Sequence, residues 1–152
     1  MSINKEQLRN LIERTLKEVD LYSEDAVNLL MGTAAKESHL GTYIRQINGP
    51  ALGIFQMEPN TFNDIRDNYL VHKPDLMHKV IVISGGTALR PTEAEWNLKT
   101  AIIFCRLHYL RKPDALPSTI EGMAAYWKQH YNTYLGAGTE EQFIANYKKY
   151  VL

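Results

Sequence analysis

A helix that is apolar on nearly every side has to be enclosed by other parts of the chain, and residues 23–41 describe one. Ser23 is an N-cap residue type, and Glu24 and Asp25 place negative charge in the first turn. Ala26, Val27, Leu29, Leu30, Met31, Ala34 and Ala35 then leave no broad polar face for water. The run ends near Gly41, after Lys36-Glu37-Ser38-His39-Leu40. A carboxyl group at Glu37 therefore sits among apolar neighbours and close to the negative pole of the helix dipole. Both effects disfavour its ionisation. Two readings follow: a carboxyl that keeps its proton near neutral pH and can donate it, or an acid simply solvated at a helix end, as most are.

The remaining segments supply the enclosing layer. Residues 4–20 carry Leu8, Leu11, Ile12, Leu16 and Val19 at helical spacing, an amphipathic stripe that needs a partner. A helix from Thr61 to about Tyr69, after the Pro59-Asn60 turn, puts Phe62, Ile65 and Tyr69 on one face. Thr92-Glu93-Ala94-Glu95 reads as a capping box that opens a long helix to Leu110. Its Trp96, Ile102, Ile103, Phe104, Leu107 and Leu110 lie nearly all round, which predicts the central core helix. Ser118-Thr119-Ile120-Glu121 and Thr139-Glu140-Glu141-Gln142 read as two further capping boxes, with helices running to about Gln129 and Tyr150. The β-branched run Val80-Ile81-Val82-Ile83, closed by Gly85-Gly86, suggests a minor β excursion over 79–84 with no second strand to pair with it. The expected fold is all-α, a single globular domain over residues 1–152.

Composition removes several classes of function. Lys plus Arg and Asp plus Glu are 17 each, so no global basic field exists to drive nucleic-acid binding. No apolar run approaches the roughly 18 residues of a membrane span. Cys105 is the one cysteine and lies in an apolar run, which reads as core. His72, His78, His108 and His130 form no i, i+4 pair and no His-Glu-x-x-His motif, so no metal and no cofactor is expected. Met1-Ser2-Ile3-Asn4-Lys5-Glu6 leads into an amphipathic helix without an apolar signal core, so no signal peptide is expected.

Three segments recur in a telling order: Glu37-Ser38-His39-Leu40-Gly41, then Gly53-Ile54-Phe55-Gln56-Met57-Glu58-Pro59-Asn60-Thr61, then Ala124-Ala125-Tyr126 after a long apolar helix. This order resembles the lytic transglycosylase and goose-type lysozyme superfamily, whose segments read Glu-Ser, Gly-Leu-Met-Gln-Val or Ile, and Ala-Tyr-Asn. The resemblance covers roughly residues 24–131. It implies a lysozyme-like fold and cleavage of the β-1,4 bond between N-acetylmuramic acid and N-acetylglucosamine in peptidoglycan. It makes Glu37 the catalytic acid and then base, with Ser38 holding the local backbone. Gln56 would face the glycan, Tyr126 would reach back to orient Glu37, and Gly53 would allow close backbone approach to the sugar. His39 matches the histidine of the goose-type Glu-Ser-His segment, or is a helix-end histidine with no chemistry.

The departures bear on mechanism. Trp127 stands where the family has Asn, and Thr42 to Leu52 contains no acid where goose-type enzymes carry an Asp. Glu58 occupies the place of a second goose-type Asp, and reads either as a second carboxylate or as an exposed turn acid before Pro59. An inverting hydrolase needs a second carboxylate about 6.5 to 9.5 Å from the acid, and a retaining one needs a nucleophile nearer about 5 Å. By position Glu58 and Asp64 qualify, and loops elsewhere could deliver Asp67 or Asp75. In lytic transglycosylases the muramic acid 6-hydroxyl attacks intramolecularly and one Glu suffices. The missing loop acid tilts the reading that way and leaves both routes open. Tyr126, Trp127, Tyr131 and Tyr134 are core residues by helical spacing or rings that stack on sugar faces. Lys36, Arg45 and Lys128 are a candidate local patch for an anionic polymer.

A peptidoglycan cleaver without an export signal resembles a bacteriophage endolysin, with a virion-associated lysin second. The expected partner is peptidoglycan glycan strands, with no nucleic acid and no membrane, and the expected state is a monomer. The expected location is the host cytoplasm until release to the periplasm or cell wall at lysis. The alternative from a different class is a non-catalytic peptidoglycan-binding or virion structural module with the same fold.

Overall fold

The computed structural model describes residues 1–86 and 88–152. It is all-α, as the helical periodicities predict. The helices are α1 (Lys5–Glu18), α2 (Glu24–Ser38), α3 (Pro59–Asn68), α4 (Pro74–Ile83), α5 (Glu93–Trp96), α6 (Leu98–Leu110), α7 (Ile120–Trp127) and α8 (Glu140–Tyr150). A 3-10 turn spans Leu70–His72, and a π turn over Lys128–Asn132 directly continues α7. No helix among the described residues is long and apolar enough to cross a membrane.

α2 is enclosed, as its all-round apolarity demands. Ala26, Val27, Leu29, Leu30, Met31, Thr33, Ala34 and Ala35 are all buried. α1 packs its Leu8, Ile12 and Leu16 face into the same core, with Asn4 accepting the Glu6 and Gln7 N–H groups as N-cap. α8 crosses α2 at Gly32, where a Cβ would collide with the rings of Phe143 and Tyr147. The Thr139 and Gln142 side chains form the predicted capping box of α8. α6 is the second buried helix, covered from Thr100 to Leu107. The two central helices are joined by a buried polar contact. Thr33 Oγ1 donates to Leu29 O at 2.8 Å, which leaves Tyr109 Oη to donate to Thr33 Oγ1 at 2.8 Å.

A second apolar cluster lies on the other side of α6. Phe62 of α3 stacks on Phe104 with centroids 3.7 Å apart, and Val19, Ile65, Leu70, Val80, Leu89, Ile103 and Leu107 complete it. The 79–84 segment is not a β excursion but the end of α4, which opens with Pro74 in its first turn. Leu76, Met77, Val80 and Ile81 recur at helical spacing and pack on this cluster. β-branching costs a helix only a few tenths of a kcal/mol per residue, so that packing decides. Gly85 and Gly86 then stop the helix with positive φ, Gly86 N–H bonding back to Ile81 O at 2.8 Å.

The Thr92 capping box does not form. The backbone of Thr92 is already helical and its side chain caps nothing, while the Glu93 carboxylate accepts from Arg90 N–H at 2.8 Å. α5 therefore ends after one turn at Trp96, and Asn97 caps α6 by accepting from Thr100 N–H at 3.2 Å. At α7 the cap is Thr119 rather than Ser118, accepting from Gly122 N–H.

Candidate active site

The C-terminal end of α2 is fixed by one hydroxyl. Ser38 Oγ donates to Ile54 O at 2.6 Å and lies 3.1 Å from Ala34 O, while it accepts Gly41 N–H at 2.9 Å. His39, Leu40 and Gly41 turn the chain away with three successive positive φ values. One buried side chain thus ties the helix end to the 53–56 turn. These contacts make Ser38 a hub for backbone groups of α2, the 39–41 turn and the 53–56 turn.

The 44–57 segment doubles back through isolated bridges between Arg45 and Leu52 and between Leu52 and Met57. Gly53 (φ +78°) is required here for packing within the protein. A Cβ would overlap the Ala94 carbonyl oxygen of α5, so the close backbone approach expected toward a sugar is made to Ala94 instead. Gln56 is held at φ +50°, its Nε2 donating to Gly53 O at 2.9 Å. From the other side Tyr131 of the π turn donates to Phe55 O at 2.6 Å. The turn is therefore clamped by Ser38 below and Tyr131 across.

These elements enclose a cleft of about 430 Å³. Glu37, Gln56 and Glu58 all line it, joined by Gln46, Thr61, His108, Tyr131 and Asn132. Glu37 is half-buried, and its Oε2 accepts the indole N–H of Trp127 at 2.9 Å. Its Oε1 has no donor among the described residues and keeps contact with solvent in the cleft. Burial pushes the Glu37 carboxyl above the ordinary carboxylate range, against the smaller opposing pull of the Lys36 charge and the Trp127 N–H.

Among the described residues, Lys36 is the cation that acts on the Glu37 carboxyl. Burial raises the Cys105 thiol and the Tyr109 and Tyr131 hydroxyls well above their ordinary values, and the nearby Glu37 carboxylate contributes in the same direction. They form an uncharged floor. His108 is also neutral: burial and the Arg111 and Lys112 charges lower its pKa to about 3. Arg111 can only donate, so His108 Nδ1 accepts from it at 3.0 Å and Nε2 carries the proton.

Lys128 ties together the loop that carries Asn132, Thr133 and Gly136 into the cleft lining. Its Nζ donates to Asn132 Oδ1, Gly136 O and Gly138 O at 2.7, 3.0 and 2.7 Å, which satisfies all three ammonium hydrogens. The same cage holds Thr133 at φ +68°, an unfavourable conformation for a β-branched residue at the edge of the cleft.

Several expected residues go elsewhere. Tyr126 does not reach Glu37; its hydroxyl donates to Asp114 O at 3.1 Å and its ring packs edge-on to His130. Successive helix residues point about 100° apart, so the residue aimed at Glu37 is Trp127, one position on. Glu58 is exposed at the start of α3 and makes no side-chain cap bond. Asp64 is taken up by Arg111 and Asn68, Asp67 by Arg66, and neither lines the cleft. His39 stacks on Tyr150. Tyr134 is exposed at a loop tip. The Lys36, Arg45 and Lys128 patch is dispersed, because Arg45 pairs with Glu95 and Lys128 with carbonyls. Segment 78–90 contributes no described residue to the cleft. No group of three or more potential metal-ligating side chains occurs among the described residues.

In the sequence Trp127 stands out as the departure from the family's Asn and as one of an aromatic cluster, and Tyr131 only as one of that cluster. Gln46 and Asn132 carry no signal there and His108 appears only among histidines that form no metal motif, because residues far apart in the chain meet only in the folded cleft. Comparison with protein-family models, curated proteins and solved structures gives no match to this chain.

Proposed function

We propose that this protein is a muramidase, a lysozyme-like enzyme that cleaves the β-1,4 bond between N-acetylmuramic acid and N-acetylglucosamine in peptidoglycan. The observation that carries the reading is Glu37: a recessed carboxyl with a raised pKa, one oxygen engaged by Trp127 and the other open to a polar cleft. That is the state a general acid needs before it protonates a leaving oxygen. The amides of Gln46, Gln56 and Asn132 offer both donors and acceptors to sugar hydroxyl and acetamido groups. The order of the Glu-Ser, Gly-x-x-Gln and Ala-Tyr segments supports the same reading.

In the first step Glu37 gives its proton to the glycosidic oxygen as the bond to the muramic C1 breaks. The carboxylate then accepts a proton from the attacking hydroxyl, and the acid is regenerated. An exposed Glu58 without a fixed geometry favours the route in which the attacker is the muramic acid 6-hydroxyl, which needs no second carboxylate. The biological setting that fits is phage-mediated host lysis, with a monomer acting on wall glycan after release from the host cytoplasm.

Purified protein incubated with peptidoglycan sacculi should release muropeptides, and mass spectrometry should find 1,6-anhydromuramic ends. Reducing ends would instead assign hydrolysis. Binding to sacculi with no soluble product would overturn the enzymatic reading in favour of a non-catalytic wall-binding module.

A further inference from the structure

The indole that meets Glu37 is more than packing. Trp127 is fully buried at the last turn of α7. Its ring lies 5.6 Å from that of Phe143, and Gly138 presses against its six-membered edge. The Lys36 ammonium sits 5.3 Å from the ring centroid. The indole therefore has one orientation, and in it Nε1 points at Glu37 Oε2.

Indole N–H donates and never accepts. In a protonated carboxyl the carbonyl oxygen is the stronger acceptor and the hydroxyl oxygen carries the hydrogen. Because Trp127 donates to Oε2, the acid proton is favoured on Oε1, the oxygen left without a donor in the cleft. An Asn or Tyr at this position could accept as well as donate and would leave the proton free to sit on either oxygen. We infer that Trp127 is a positioning residue that selects which oxygen of Glu37 carries the transferable proton and holds it toward the substrate. This rests on the muramidase reading for its consequence, though not for its geometry.

The same bond acts in the reacting state. When the Oε1–H bond breaks, the proton passes to the glycosidic oxygen and the electron pair of that bond remains on Glu37 as carboxylate. The C1–O bond breaks with its pair on the departing oxygen, and the attacking hydroxyl bonds to C1 and returns its proton to Oε1. Between these transfers Glu37 is an anion in a floor of neutral groups. N–H donors bind anions about twice as strongly as neutral acceptors, so the Trp127 bond tightens as charge develops. The other groups facing the carboxyl are Lys36 on its own helix, Cys105 and Tyr109 on α6, and Tyr131 on the π turn, with His108 and Glu58 in the shared cleft.

Two replacements remove the donor. Trp127→Phe deletes the N–H and part of the ring, and 3-benzothienylalanine at position 127 replaces N–H by sulfur at nearly constant shape. Both are compared with wild type by turnover on peptidoglycan and by the ¹³C titration of the Glu37 carboxyl. The expected result is a loss in kcat of about tenfold with KM changed by less than about twofold. The Glu37 titration midpoint should rise, since a bond favouring the anion is gone, and the alkaline limb of kcat should move up with it. A folded 3-benzothienylalanine protein whose Glu37 midpoint is unmoved or lower would overturn the inference. If wild type cleaves no glycan but the midpoint still rises, the hold of Trp127 on Glu37 stands and the muramidase reading alone fails.

Discussion

Where α2 meets α7, Glu37 is recessed above Cys105, Tyr109 and Tyr131 with an indole donor on one oxygen. Where the 44–57 segment enters α3, Glu58 lines the same cleft but is exposed, its side chain without a cap bond. Both are glutamates beside one cavity, and the difference is what surrounds them. Glu37 has lost much of its water, which raises its pKa, and has a partner that fixes its orientation, the two features the proposed general acid requires. Mere proximity to a cleft supplies neither. Region by region, Ser38 and Trp127 engage the α2 end through side chains, while the α3 start is held by the Leu52–Met57 backbone bridge and Pro59, and the Glu58 side chain makes no cap bond.

The sharpest way to break this comparison is to neutralise each acid in turn. Glu37→Gln should lower turnover on peptidoglycan by at least about 100-fold, the usual contribution of a general acid. Glu58→Gln should stay within about tenfold of wild type. Equal losses would make the two acids partners and assign a second carboxylate to the mechanism.

Next in size is Gly53→Ala, which probes the clamp beneath Glu37 without touching the acid. A side chain there combines a left-handed backbone with a clash against the Ala94 carbonyl. Destabilisation of about 2 kcal/mol or more is expected in denaturant melts. A smaller effect would mean that the 53–56 turn is looser than its contacts imply.

The Glu37 environment should also cost stability. Its folded-state pKa is raised, so folding opposes ionisation: the penalty is absent well below the unfolded value of about 4.3, where both states are protonated, grows as pH rises above it, and levels off above the folded-state value. Glu37→Gln should therefore melt a few degrees above wild type at pH 7, and the gap should close on acidification. The smallest expected effect is that of Tyr126→Phe. Loss of the bond to Asp114 O should cost about 1 kcal/mol in stability and leave turnover unchanged, because that hydroxyl points away from the acid.

How much of this was legible in the sequence depended on range. α1, α2 and α8 follow from caps and periodicity that act within one or two turns, and the enclosure of α2 follows from its composition. The β-branched run of α4 suggests a strand, but the spacing of Leu76, Met77, Val80 and Ile81 wins because they pack on a cluster assembled from Val19 beyond α1 and from α3 and α6. The Thr92 box failed because its Glu93 carboxylate bonds Arg90 N–H and Asn97 supplies a cap five residues later. At the site, Glu37 and Ser38 were legible as a helix end, whereas the choice between Tyr126 and Trp127 was not. A shift of one residue turns a helix by about 100°, and the Ala-Tyr motif does not report which side chain the π turn and Gly138 press toward Glu37.

Burial raises the Glu37 carboxyl above the ordinary carboxylate range, and the proposed acid role depends on that shift. The most direct measurement is the ¹³C chemical shift of the Glu37 carboxyl carbon followed across pH in wild-type protein, assigned by its absence in Glu37→Gln. A midpoint clearly above the ordinary value of about 4.3 is the predicted result. A midpoint at or below that value would contradict the account, because Glu37 would then be a carboxylate at neutral pH with no proton to give.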